Sequence, residues 1–262
     1  MNESTNNIFK MIVQYRFIIK ELVVREIKRK YSRSFLGIIW SVLSPLLMMA
    51  VMVLIFTQIL GRDTPHFPVY VLTGLITVQF FNGATNSAMT TLVDNKSMLI
   101  KVKFPMEIFV IAKVCTGIVD FGFSIIAYIV ILIAYRIPPS VYTLFYPVIF
   151  IFLVMFIIGI SLMLSVAFVY FGDIKHLWAV ATQIIMWLSA VFWSIDGLEG
   201  WPERIARANP MFNFINSTRK VVMWQEFPTL HQNIQMVVWS VAILIIGIAV
   251  FRRNKIKILT KI

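Results

Sequence analysis

The sequence predicts an all-α polytopic membrane protein with six transmembrane helices. Three observations lead there. Hydrophobic residues make up 59% of the 262 positions, mean hydropathy is +0.84, and charged residues reach only 14%, whereas a soluble domain of this length exposes far more polar surface. Six stretches approach the roughly 20 apolar residues that cross a hydrocarbon core. The 24 Lys and Arg gather between alternate stretches, the bias that fixes how helices thread a bilayer.

Residues 1–35 come first, as a cytoplasmic interfacial and basic segment. Ile8, Ile12, Tyr15, Ile19, Leu22 and Val23 recur at three- and four-residue steps, opposite Lys10, Gln14, Glu21, Arg25 and Lys28. That pattern predicts an amphipathic helix over 7–25, lying in the inner interface. Phe17 intrudes on the polar face. Beyond Val24, Glu26 and Lys30 fall on the apolar face, so a bend or phase change is expected there. The first 30 residues are charged throughout and lack a small-residue cleavage site, so the N-terminus is expected to stay inside.

The remainder, 36–262, reads as the transmembrane domain. The expected spans are 36–60, 68–91, 107–135, 143–170, 177–195 and 234–251. The third and fourth are long enough to tilt. Segment 92–106 is an internal cytoplasmic loop in which Pro105 ends any helix and redirects the chain into span three. Segment 196–233 is too polar to span simply, and 252–262 is a cytoplasmic tail. With the N-terminus inside, eighteen cations fall inside and six outside, the latter being Arg62, Arg136, Arg204, Arg207, Arg219 and Lys220. Both termini are therefore expected in the cytoplasm. A net charge of +12 points to anionic headgroups rather than nucleic acid. The single Cys115 excludes a disulfide framework.

Catalytic patterns are missing. No G-x-x-x-x-G-K-[ST] is present to cradle ATP phosphates, and no G-x-S-x-G. His66, His176 and His231 are too far apart in sequence for metal spacing. Asp120 is the only acid well inside a span. It is either a functional carboxylate or one satisfied by polar neighbours. In span two, Gln79, Asn82, Asn86 and Thr90 form one polar face, which either hydrogen-bonds across helices or lines a water-filled conduit.

The stretch R-E-I-K-x-K-Y-x-x-S-x-L-G-x-x-W-x-x-x-x-P, Arg25 to Pro45, resembles the opening motif of polysaccharide-export permeases. These belong to the type-2 exporter class of ATP-binding-cassette transporters, which export O-antigen, capsule and wall teichoic acid on lipid carriers. Three further stretches fit in order. "LIKVKFPMEIF" (Leu99–Phe109) is similar to the family's cytoplasmic loop before span three, "YFGDIKHLW" (Tyr170–Trp178) to the loop before span five, and "ANPMFNFINSTRK" (Ala208–Lys220) to the N-P-M segment before the last span. Gly172 stands where many members carry Arg before the Asp.

The resemblance implies a non-enzymatic half-transporter in the bacterial inner membrane. Two copies form the pore, and two separate ATPase subunits carry ATP and magnesium; this chain binds no cofactor of its own. The expected cargo is a glycan on an undecaprenyl-pyrophosphate-type carrier. Arg25, Arg29 and Arg33, with Lys28 and Lys30, lie at the depth of the carrier's pyrophosphate, where Arg forks and Lys point charges bind phosphate; bulk attraction to anionic lipid is the rival reading. Asn95, Lys96, Leu99, Lys101 and Phe104 are expected to meet the ATPase. Trp40, Phe56, Trp187 and Phe192, with Gln79, Asn82 and Asn86, are expected to line the conduit, aromatic faces serving as sliding surfaces for sugars. Segment 196–233 is expected to form re-entrant helices closing the exit, with Asn209 and Pro210 at a turn and Trp201, Phe212 and Phe214 around it. The alternatives are a type-2 exporter of drugs or lipids, a membrane transferase acting on lipid-linked sugars, which would need a catalytic grouping of acids or His, and a proton-coupled carrier built on Asp120.

Overall fold

A computed structural model describes residues 8–32, 37–59, 66–101, 105–195 and 199–261, and every regular element among them is helical. Twelve α-helices follow one another: α1 Ile8–Gln14, α2 Arg16–Tyr31, α3 Ile39–Leu54, α4 Phe67–Met89, α5 Thr91–Asp94, α6 Lys96–Lys101, α7 Glu107–Ala134, α8 Tyr146–Tyr170, α9 Ile174–Leu188, α10 Trp201–Ala208, α11 Pro210–Arg219 and α12 Leu230–Lys261. Prolines set several beginnings. Pro68, Pro147, Pro202 and Pro210 sit in the first turns of α4, α8, α10 and α11, where a missing N–H costs nothing.

Five helical stretches among the described residues are long and apolar enough to cross a membrane: Ile39–Ile59, Phe67–Met89, Glu107–Ala134, Val141–Tyr170 and Leu230–Ile258. The sixth expected span, 177–195, is shorter than the sequence suggests. Its helix, α9, has 15 residues, about 22 Å at 1.5 Å per residue, against a hydrocarbon core of about 30 Å. It stops at Leu188, and Ala190 takes a left-handed turn at φ 50°. The expected tail, 252–262, continues the last span's helix: α12 runs unbroken to Lys261.

The first helix also departs from expectation. The break falls at Tyr15, between α1 and α2, and α2 continues through Glu26 and Lys30 to Tyr31. Those two charges do lie toward the protein. They need no bend, because α7 presents a partner to each.

α4 is the central helix. In its most apolar stretch 78% of residues are buried, against 6% in α3. It packs on α3, α7, α8, α9 and α11. Its Thr73, Thr77 and Thr85 hydroxyls donate to their own i−4 carbonyls at 2.7–2.8 Å, which makes these hydroxyls tolerable in an apolar interior. Around it lies the larger core, with Phe80, Phe81, Phe121, Phe156 and Phe214. A second core closes the opposite end, where Ile19 and Leu22 of α2 meet Leu92, Leu99, Phe109, Phe251 and Ile258.

Two contacts fix the frame. α8 and α12 touch backbone to backbone, since a Cβ on Gly159 would fall 2.5 Å from the Ile243 carbonyl oxygen. Pro45, inside α3, cannot donate to the Ser41 carbonyl one turn back. That carbonyl instead accepts from Ser124 Oγ on α7, at 3.2 Å.

Candidate functional site

A cavity of about 800 Å³ opens between α2, α3, α4 and α7, with Lys175 of α9 on its rim. Four cations (Arg29, Lys30, Lys113, Lys175) and two acids (Glu26, Asp120) line it, leaving two positive charges in surplus. Gln79, Gly83, Asn86, Ser87 and Thr90 give it a polar wall along α4, and Trp40 gives it an aromatic edge on α3.

The acids are anchored. Glu26, 9% exposed, accepts from Lys113 Nζ at 2.7 Å and from Arg29 Nη2 at 2.9 Å, with Arg25 at 3.6 Å. Burial pushes its carboxyl up, but the Lys113 hydrogen bond and the charges of Lys113, Arg29 and Arg25 outweigh that and hold it below the usual carboxylate range. One turn on, Lys30 Nζ donates to Asp120 at 2.8 Å, and Tyr31 Oη donates to the other Asp120 oxygen at 2.8 Å. Burial lowers the Lys30 ammonium; the bond to Asp120 more than reverses this and raises it. Tyr31 Oη also hydrogen-bonds Ser41 Oγ, linking α2 to α3. The sign of the charges alternates: acid then base along α2 meets base then acid along α7. Asp120 is thus a carboxylate with two partners.

Of the expected phosphate-binding residues, Arg29 and Lys30 line the cavity. Arg25 instead donates to Asn95 Oδ1 at 2.9 Å, joining α2 to the segment between α5 and α6. Lys28 is exposed, and Arg33 lies outside the described residues. Trp40, Gln79 and Asn86 share the cavity. Asn82 does not line it; its Oδ1 is buried without a partner among the described residues, and its backbone carbonyl accepts from Asn86 Nδ2. Phe192 is buried between Phe56, stacked at 6.3 Å, and Trp187, at 5.4 Å. Trp187 itself is exposed.

The expected ATPase-facing residues divide likewise. Lys96 and Lys101 are exposed on α6, together with Ile100, while Leu99 is buried in the second core and Asn95 is half-buried on Arg25. Phe104 lies outside the described residues. In the expected outer closure, Asn209 caps α11: its Oδ1 accepts from Met211 N at 3.0 Å, and its Nδ2 donates to Ser189 at 2.9 Å. Pro210 begins that helix, Phe212 and Phe214 are buried, and Trp201 is exposed.

In the sequence, Lys113 and Lys175 count only among the eighteen inside cations that orient the spans. The available signal was a pair of mismatches: Glu26 and Lys30 on an apolar face, and Lys113 and Asp120 inside an apolar span.

A sequence model described as ABC-2 type transporter matches residues 18–223. The chain belongs to the ABC-2 type transporter family. This ABC-2 chain is 26% identical over 248 residues to the O-antigen export system permease protein RfbA of Myxococcus xanthus, covering 93% of this chain and 95% of that protein. It is 25% identical over 254 residues to a protein of the same name from Klebsiella pneumoniae, covering 95% and 96%. It is also 25% identical over 255 residues to the capsule polysaccharide export inner-membrane protein CtrC of Neisseria meningitidis, covering 95% of each. The matched family segment includes the whole cavity lining. No group of three or more His, Cys, Asp or Glu among the described residues is placed to hold a metal.

Proposed function

We propose that this chain is the permease subunit of an ATP-driven exporter that moves a lipid-linked polysaccharide across the bacterial inner membrane. The observation that carries the proposal is the cavity between α2, α3, α4 and α7. It joins a cationic floor to an amide-and-hydroxyl wall and one exposed indole. A diphosphate matches the two surplus positive charges. Sugar hydroxyls match Gln79, Asn86, Ser87 and Thr90, and a sugar C–H face matches Trp40. The relatives named for O-antigen and capsule export support the same cargo class.

On this reading the cavity lies at the cytoplasmic end, both termini face the cytoplasm, and α1 and α2 lie along the inner interface. α9, with only Thr182 buried along its length, faces a second copy across the conduit. The sixth crossing is then made by α9 together with the irregular 189–195 segment, while α10 and α11 close the exit. Lys96, Ile100 and Lys101 meet the partner ATPase, which binds ATP and magnesium; this chain supplies passage and grip.

The test uses a strain lacking the chain. Complementation with the native sequence should restore surface glycan. Arg29→Gln with Lys30→Gln should cut export at least tenfold while membrane-inserted protein stays at native level. Export by the purified chain in liposomes without a nucleotide-hydrolysing companion would refute the reading.

A further inference from the structure

Arg219, at the end of α11, is fully buried. It pairs with no carboxylate among the described residues. Its guanidinium is solvated by the backbone instead. Nη1 donates to Ala190 O at 2.9 Å, Nη2 to Tyr70 O at 3.0 Å and Val191 O at 3.2 Å, and Nε to Tyr70 O at 3.3 Å. Its Cζ lies 3.3 Å from the centre of the Tyr70 ring. The Tyr70 hydroxyl in turn donates to Trp193 O at 2.8 Å.

Three segments converge on this one charge: the first turn of α4, the break that follows α9, and the end of α11. The left-handed turn at Ala190 belongs to that break. Space for the guanidinium depends on Gly74, where a Cβ would come within 3.1 Å of Nη2 and 2.9 Å of Val191 Cγ1. A buried cation persists only while dipoles and a ring face replace its water. If the 190–191 segment leaves α4, two of its three carbonyl acceptors go together, and the charge must hydrate. The contact therefore has two states, docked or wet, with little between.

We infer that Arg219 is a positioning residue that latches the exit: it pins the broken end of α9 and the end of α11 to α4, and the passage opens there by releasing this guanidinium to water. The inference rests on reading segment 196–233 as the outer closure.

The experiment uses the full chain in intact cells, carrying Cys115→Ser and Val191→Cys, with a membrane-impermeant thiol reagent added outside. With Arg219 present, labelling should be slow. Arg219→Gln should raise the rate at least tenfold, and Arg219→Lys, which keeps the charge but loses the fork, should fall between. Equal rates in the Gln variant and its parent would overturn the latch. So would an equal acceleration in Gly159→Leu, which loosens the α8–α12 contact elsewhere. If Arg219→Gln does not accumulate, Arg219→Lys against the parent decides by the same criterion, a faster rate supporting the latch and an equal one overturning it. The export reading fails separately: accelerated labelling in Arg219→Gln, with surface glycan unchanged when the chain is deleted, supports the latch and refutes export.

Discussion

Glu26 shows how a charge that breaks a helical pattern is accommodated. Removing it leaves Lys113 buried with no acid beside it. Glu26→Gln should therefore cost about 3 kcal/mol, at the low end for breaking a buried pair because cavity water is close. Thermal or denaturant unfolding in detergent would measure the loss. Glu26→Leu with Lys113→Met should recover most of it, since no charge is then stranded. The pair also fixes a pH dependence. The Glu26 carboxyl is held below its unfolded value, so its contribution is complete above the ordinary carboxylate range. That contribution fades only as pH falls through the lower folded-state value. Stability of the native chain minus that of Glu26→Gln, measured against pH, should be flat through neutrality and shrink in acid. Asp120 behaves differently. With Lys30 and Tyr31 as partners it is an anchor, so Asp120→Asn should loosen α2 and leave any transport dependent on ATP. Transport that becomes independent of ATP but dependent on a proton gradient would contradict this.

For the helices, periodicity and punctuation read well where lipid or core imposes one face. The helices of spans two, three and four lie near the expected limits, because apolar runs define them locally, with first-turn prolines in α4 and α8. The misses are places where a distant partner overrides the local pattern. α2 runs on past Val24 because α7 supplies Lys113 and Asp120, some 87 and 90 positions away. α9 stops at Leu188, and the carbonyls of Ala190 and Val191 just beyond it accept from Arg219, a residue that charge counting places in an exterior loop. Phe192 reads as a wall residue from composition but is buried between two rings. The cavity was half legible: Trp40, Gln79, Asn86, Arg29 and Lys30 were named, but nothing local says that they share one space with Lys113 and Lys175. The α8–α12 contact is equally hidden, since Gly159 and Gly247 are 88 positions apart and unremarkable in hydropathy. Gly159→Leu should force the two backbones apart and cost about 2–3 kcal/mol, read as a lower unfolding temperature of the detergent-solubilised chain.

In the whole molecule, the two cores divide labour. The larger one is built on α4 and carries the buried end of α11; the smaller one gathers α2, α6, the start of α7 and the end of α12. Arg25 and Asn95 bridge α2 to the α5–α6 segment, so on the proposed reading a push delivered at Lys96 or Lys101 would reach α2 through this hydrogen bond and through Leu99, buried beside Leu22 in the second core. Arg25→Ala should weaken the link between ATP hydrolysis and export, raising the ATP used per glycan exported in reconstituted vesicles, while binding of the ATPase persists. The exposed face of α9 makes a second claim. Val180→Cys, in a Cys115→Ser background, should form a disulfide with a second copy on oxidation, and an exclusively monomeric product would refute the paired arrangement.

The alternating ion pairs between α2 and α7 also govern how the protein is made. Glu26 leaves the ribosome 87 residues ahead of Lys113, a delay of about 4–17 s at ordinary elongation rates. Through that interval the acid of the nascent helix has only its own neighbours Arg25 and Arg29 as partners, and Lys30 has no Asp120 to meet. The α2–α7 contact must wait until α7 is made, and a ribosome that stalls before Lys113 would leave α2 without the helix it docks on.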